Sequence, residues 1–274
     1  MPEMCFWVTM LAIIDTALQS WRAHGMDKPT ILVVNPNTSD AMTVAIDRIA
    51  WEAAGTSANV VTRRSLQGPH TIEGPLDAAL GVAGMLEVVG AYPYSFDTVV
   101  VACFGDPGVD ALRLLVHVPV IGIGAASFTQ AAFTSQRFAI VTPAVGTPER
   151  YAAVTTAMGL TTQFLGTYQT SLAVEDFESG EPAVLDTLVF HAQQAAKDGA
   201  DCLLFGCAGI ADQIREIEER VGVLCIASVA AGVTQAIACV RHRRAALVGG
   251  PFRRVNPKPL EGFNSLVRHY TGRT

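Results

Sequence analysis

Cys103 and Cys207 carry the chemistry most legible in this chain. Each closes an apolar run and is followed by a glycine-bearing turn, Val101-Ala102-Cys103-Phe104-Gly105-Asp106-Pro107-Gly108 in the first half and Phe205-Gly206-Cys207-Ala208-Gly209 in the second. At one constant offset Asp97 falls on Asp201, Cys103 on Cys207, Gly105 on Gly209, and the run Val118 to Ile123 on Gly222 to Ala227. Matched thiols at matched strand ends predict two acid/base groups facing one another. Removing a proton from a carbon beside a carbonyl, and returning one on the other face, needs one group deprotonated while its partner stays protonated. Cysteine serves in both states, because its ordinary pKa of about 8.5 falls toward the working range beside backbone amides or a helix N-terminus. The N–H groups of Phe104, Gly105, Ala208 and Gly209 are expected to form anion-binding turns for an enolate. Cys202 and Cys225 lie inside apolar runs, and Cys5 and Cys239 in helical patterns, which reads as core.

Around these residues the chain is organised as alternating elements. Thr30 to Val34 is an apolar, β-branched run ending in Asn35-Pro36-Asn37-Thr38-Ser39, and Met42 to Ala53 carries a helical pattern. A short strand follows at Asn59 to Thr62, then a loop, a helix from Pro75 to about Gly90, a strand from Phe96 to Cys103, a helix over Val109 to Val116 and a strand from Pro119 to Ile123. The second half restarts at Phe138 to Val141, where Val141-Thr142-Pro143 echoes Val34-Asn35-Pro36. Helices are expected at Pro148 to Met158, Pro182 to Asp198, Asp212 to Arg220 and Val229 to Val240, with strands at Cys202 to Gly206 and Val223 to Ala227. Strands alternating with helices predict an α/β fold of two Rossmann-like, doubly wound parallel sheets related by a pseudo-twofold. Ligands of such sheets lie beyond the carboxyl ends of the strands, where Asn35, Asn37, Cys103, Thr142 and Cys207 all fall. Asn37 and Thr142 are candidates to bind a substrate carbonyl or N–H. Asn35, Ser39 and Asp40 have an alternative reading as a turn and helix cap, and His70 and Glu73 sit in a loop placed to cover the cleft.

With 274 residues, half of them apolar, the chain can bury a substantial core. A formal charge of −6 gives no basic footprint for nucleic acid, and the Arg241 to Arg244 cluster reads as solvated surface. The cysteines lack the spacing of a zinc site or disulfide framework, so a reducing, cytoplasmic compartment with free thiols is expected. Met4 to Ile14 is nearly all apolar but has no basic leader and is too short to span a bilayer. Residues 1–25 are therefore read as an appendage ahead of an alternative start at Met26. Gly122-x-Gly124 lacks the third glycine of a nucleotide fingerprint, so neither cofactor nor metal is expected.

Taken together, Ile31 to Ser39, the Pro69 to Gly74 loop, the Ala-Cys-Phe-Gly-Asp-Pro-Gly run ending at Gly108, Pro119 to Ile123, and Gly206-Cys207-Ala208-Gly209 resemble the hydantoin racemase branch, allantoin racemases included, of the aspartate/glutamate racemase superfamily. The resemblance covers about Met26 to Val240. It implies residues 26–125 plus 228–274 as one α/β domain and 126–227 as the other, with the site in the cleft between them. It further implies a homo-oligomer and a cofactor-independent, two-base mechanism with Cys103 and Cys207 as the acid/base pair. The substrate would be a small cyclic ureide, a 5-substituted hydantoin or allantoin, held by Asn37, Thr38, Thr142 and the turns at Phe104, Gly105, Ala208 and Gly209. Ala125 and Ala227 replace carboxylates common in the family, which bears on the substrate more than on the mechanism.

Two further classes fit parts of the pattern. A related cysteine-dependent lyase or isomerase, like arylmalonate decarboxylase or maleate isomerase, would share the fold, but the decarboxylase pattern keeps only the second-half cysteine. A non-catalytic two-lobed binding protein would leave matched thiols without a purpose.

Overall fold

The computed structural model describes residues 28–143, 148–178, 181–210 and 213–242. Residues 1–25 and the chain beyond His242, with Cys5 and the arginines after it, lie outside the described residues. The first half runs β1 (Thr30–Asn35), α1 (Asp40–Ala54), β2 (Asn59–Arg64), α2 (Pro75–Ala91), β3 (Thr98–Val101), α3 (Val109–Leu115), β4 (Val120–Gly122) and α4 (Ile123–Thr134). The second half runs β5 (Phe138–Thr142), α5 (Pro148–Ala157), β6 (Phe164–Gln169), α6 (Pro182–Lys197), β7 (Cys202–Phe205), α7 (Ile214–Val221), β8 (Leu224–Ile226) and α8 (Ser228–Arg241). They form two four-stranded parallel sheets of matching order, β2-β1-β3-β4 and β6-β5-β7-β8.

Strand β1 shows why the apolar runs are strands. Ile31, Leu32, Val33 and Val34 are all 0% exposed. Alternate residues serve opposite faces: Ile31 and Val33 pack with Met42, Ile46 and Ile49 of α1 and Val229 and Val233 of α8, whereas Leu32 and Val34 pack with Met85 and Val89 of α2 and Leu112 of α3. A parallel strand covered on both sides has no solvent face to place polar residues on. In the second sheet, Ala139 and Val141 of β5 join the cluster holding Ile31 and Val33, while Phe138 and Ile140 pack with α4. One apolar core thus runs continuously through both sheets.

The duplicated aspartates turn out to be anchors of the central strands. Asp97 accepts a hydrogen bond from Thr30 N–H at 2.8 Å, and Asp201 accepts from Gln136 and Arg137 N–H at 2.9 Å each. The backbone repeats itself above them: Ala102 N–H donates to the Val34 carbonyl and Gly206 N–H to that of Val141, while Ser65 donates to Asn35 and Thr170 to Thr142.

Several elements differ from the sequence reading. Strands β3, β4 and β8 are shorter than their apolar runs, and α7 begins at Ile214 rather than Asp212, after a 3-10 turn at Ala208–Ile210. Helix α4 and strand β6 were not expected. Helix α4 opens on Gly122 without a local side-chain cap, because its cap comes from Asp106, far back in the chain. Strand β6 is a half-buried edge strand interrupted by Gly166, so it has no apolar run to mark it.

Helix α4 follows β4 yet lies against β7 and β8 of the other sheet, and α8 follows β8 yet lies against α1, β3 and β4 of the first. A line of rings accompanies α4 into the second core: Phe104 to Phe128 at 5.6 Å between centroids, Phe128 to Phe138 at 6.0 Å, and Phe138 to Phe164 at 5.6 Å. Phe138 is the fully buried middle of that line. Phe138→Ala is therefore expected to destabilise the protein by about 3–5 kcal/mol, read as a lower urea midpoint with an unchanged slope.

Candidate active site

Both thiols open into the same cavity, a small space of about 40 Å³ lined by Asn37, Met42, Phe104, Ala208 and the two cysteines, with Ile72, Ala102, Val174 and Gly206 completing the wall. A second space of about 100 Å³ adjoins it, sharing Cys103, Ile72, Val174 and Gly206, and adds Glu73, Gly105, Thr142, Arg150 and Tyr151. The strand ends converge as the topology requires: β1 and β3 deliver Asn37 and Cys103, β5 and β7 deliver Thr142 and Cys207.

Each cysteine sits in the same local trap. The N–H of the glycine two residues on points back at the sulfur, Gly209 N to Cys207 Sγ at 3.3 Å, and Gly105 N–H likewise toward the Cys103 thiol. Such a contact strengthens when the sulfur carries negative charge. Gly206 has no room for a side chain, since a Cβ there would run into the hydroxyls of Thr142 and Tyr151, which are 3.3 Å apart. The absence of that side chain keeps both hydroxyls beside the Cys207 turn.

Around Cys103 the electrostatics are uneven. Although partly exposed, its sulfur is packed round by protein, and this burial pushes the thiol up to about 11; the Gly105 N–H and Arg150 oppose the shift and the Asp106 carboxylate adds to it. Asp106 itself is pushed up to about 6 by burial, against the pull of the Ala125 and Gly124 N–H groups and of Arg113 and Arg150. It accepts those two N–H groups at 2.7 and 2.9 Å, and its own N–H donates to the Cys103 carbonyl at 2.9 Å. Arg150 donates to the Gly105 carbonyl at 2.6 Å, laying its guanidinium over the turn. Tyr151 is raised by burial, against its hydrogen bond with Thr142, and the two cysteines add smaller upward contributions. Cys202 and Cys225 are pushed by burial to about 12 in the strand core, inert positions for thiols.

The polar loop after β1 is divided in its duties. Asn35 is spent on the turn: its Oδ1 accepts the Asn37 N–H and its Nδ2 donates to Thr43. Asn37 Oδ1 accepts the Ser39 N–H, leaving its Nδ2 in the cavity, where it donates to the Met42 sulfur at 3.2 Å. Thr38 lines neither space; its N–H and hydroxyl both donate to the Pro69 carbonyl and tether that loop. Gly209 faces a separate outer groove. His70 is exposed, whereas Glu73 reaches the second space. Ala125 and Ala227 line neither space.

Sequence reasoning missed Asp106, Met42, Arg150 and Tyr151. The last two stand in the first turn of the helix after β5, where a strand's carboxyl end is followed by ligand-binding positions; that placement was the available signal.

A model for the family described as Asp/Glu/Hydantoin racemase matches residues 31–236. A hydantoin racemase from Pseudomonas sp. (strain NS671) is 33% identical over 205 residues, 74% of this chain and 82% of that protein. Among solved structures, an allantoin racemase from Klebsiella pneumoniae superposes with a TM-score of 0.82 at 30% identity, covering 87% of this chain and 98% of its own. One from Pseudomonas fluorescens gives 0.80 at 28% identity, covering 85% and 100%.

Removing the like charge in Asp106→Asn is expected to lower the Cys103 pKa and speed its alkylation by iodoacetamide at pH 8, the thiolate fraction rising about tenfold for each ~1.4 kcal/mol of repulsion relieved and the rate by somewhat less, since a less basic thiolate is a weaker nucleophile. Arg150→Gln is expected to slow it; peptide mass mapping reads both. Asp106 titrates above its usual 3.8, so whatever stability its protonated form contributes is full below that value and gone above about 6. Wild type should therefore lose stability against Asp106→Asn as pH rises through this window.

Proposed function

Because the chain belongs to the Asp/Glu/Hydantoin racemase family, we propose that it racemises a cyclic ureide, a 5-substituted hydantoin or allantoin, with Cys103 and Cys207 as the two bases and no cofactor. One observation carries the reading: the two thiols and the Asn37 amide share a single cavity, each thiol facing a backbone N–H. The relatives' own names supply the substrate class.

For the enantiomer whose α-hydrogen faces Cys207, the Cys207 thiolate takes the proton and the C–H electron pair moves into the adjacent carbonyl. Cys103, held protonated at neutral pH by its burial, delivers its proton to the opposite face. The products are the other enantiomer, a Cys103 thiolate and a Cys207 thiol; the reverse reaction restores the first state, as does proton exchange with water. Negative charge building on the carbonyl oxygen meets donors already in place, the Asn37 amide, the Tyr151 and Thr142 hydroxyls, and the Arg150 guanidinium. Arg150 also favours the Cys103 thiolate once it forms. The same reading takes the working enzyme as a cytoplasmic homo-oligomer acting on a small molecule. Among the described residues no helix is long and apolar enough to cross a membrane.

In D2O, separate enantiomers of allantoin and of 5-benzylhydantoin are expected to gain deuterium at the α-carbon and lose optical rotation at enzyme-dependent rates. Cys103→Ala and Cys207→Ala should each lower racemisation by about 10²–10⁴-fold, while exchange without inversion survives for the enantiomer facing the remaining thiol. Undiminished racemisation in either variant would sink the two-thiol mechanism.

A further inference from the structure

The cavity holding the thiols is too small for the ring it is proposed to invert. About 40 Å³ holds about three waters, and even with the adjoining 100 Å³ the space takes little more than a ring and its carbonyls. A 5-substituent must extend beyond this space, either outward to solvent or into a neighbouring hollow. On the far side of the Cys207 turn lies an open groove of about 620 Å³ between α1 and helices α6 and α7. Among the described residues, Met42 is the one that lines both this groove and the thiol cavity.

Met42 is built as a wall that can yield. It is 4% exposed, and a Cβ placed on Gly209 would be 3.4 Å from its methyl and 3.5 Å from Cys207 Sγ, so the thioether end and the second thiol flank the same glycine and line the same cavity. Its main chain is fixed, with the N–H capped by Ser39 Oγ at 3.1 Å. The side chain is not: it is unbranched, with three rotatable bonds, and its polar tie is the weak bond from Asn37 Nδ2 to sulfur. A substrate carbonyl is a stronger acceptor than a thioether, so a ring that takes the Asn37 amide releases Met42 in the same step. Beyond Met42 the groove presents Val44, Phe177 and Leu185, while its arginines, Arg48 and Arg220, are paired with Glu52 and with Asp186 and Glu216. That chemistry suits an apolar, aromatic or branched-alkyl group.

We propose that Met42 is the specificity-determining residue of this site, a movable wall whose displacement joins the thiol cavity to the outer groove and admits large apolar 5-substituents. The proposal rests on the cyclic-ureide reading above. It is tested by the ratio of kcat/KM for racemisation of 5-benzylhydantoin to that for 5-methylhydantoin, in wild type and two variants whose folding is checked by circular dichroism. Met42→Ala removes the wall and should raise the ratio roughly tenfold, the scale at which apolar pockets discriminate. Met42→Leu keeps the volume but cannot fold aside, and should lower the ratio several-fold. Should Met42→Ala fail to fold, the Met42→Leu ratio alone decides. Ratios equal to wild type would overturn the proposal and leave the racemase reading intact. If wild type exchanges the α-proton of neither ring, the reading itself fails and the proposal falls with it.

Discussion

The bond pair from Asp106 to the N–H groups of Gly124 and Ala125 is the constraint on which the site's first half depends. It ties the turn after Cys103 to the start of α4, and α4 belongs by packing to the other sheet. The fit is tight: a Cβ on Gly122 or Gly124 would collide with the Asp106 carboxylate or the Phe104 carbonyl, and Asp106 adopts a left-handed φ of 49° to reach. Such strain persists where the surroundings over-determine it. The carboxylate satisfies two helix-end amides, yet its charge lies beside the Cys103 thiol and adds to the upward shift of its pKa. Arg150 and Arg113 compensate from two other elements.

This separates two devices that the chain otherwise duplicates closely. Aspartate anchors, strand ends, cysteines and the i+2 amides repeat. At the third position past the cysteine the halves part, Asp106 in one and Ile210 in the other. Ile210 is buried in the common apolar core, close behind Cys207, whereas Cys103 is surrounded by charge. The two candidate thiols thus differ in what stands three residues on, a carboxylate in one half and a buried apolar side chain in the other.

What could be read in advance were the features written locally. Runs such as Ile31 to Val34 announce buried parallel strands, and the offset between Cys103 and Cys207 announces the duplication. Helix α4 was invisible because its cap lies in a turn far back in the chain, and β6 because an edge strand needs no apolar run. In the site the same limit applied. The thiols, Asn37 and Thr142 stand at strand ends, and their side of two adjoining cavities could be anticipated from that address. Met42 looked like one more core residue of α1, and only the three-dimensional structure shows that its far end borders two cavities. Thr38 had the right address but turns to the Pro69 loop, because a hydroxyl beside a free carbonyl binds it whatever its sequence neighbours suggest.

The line of rings from Phe104 to Phe164, together with the core shared by both sheets, has a mechanical meaning. Phe104 follows one catalytic candidate in sequence yet is embedded among side chains of the opposite half, and α4 and α8 each leave their own sheet to lie on the other. Swinging the halves apart about a hinge would pull Phe104 from its neighbours and tear a continuous apolar interior. The cleft is better regarded as a seam in one solid body than as a mouth between two jaws.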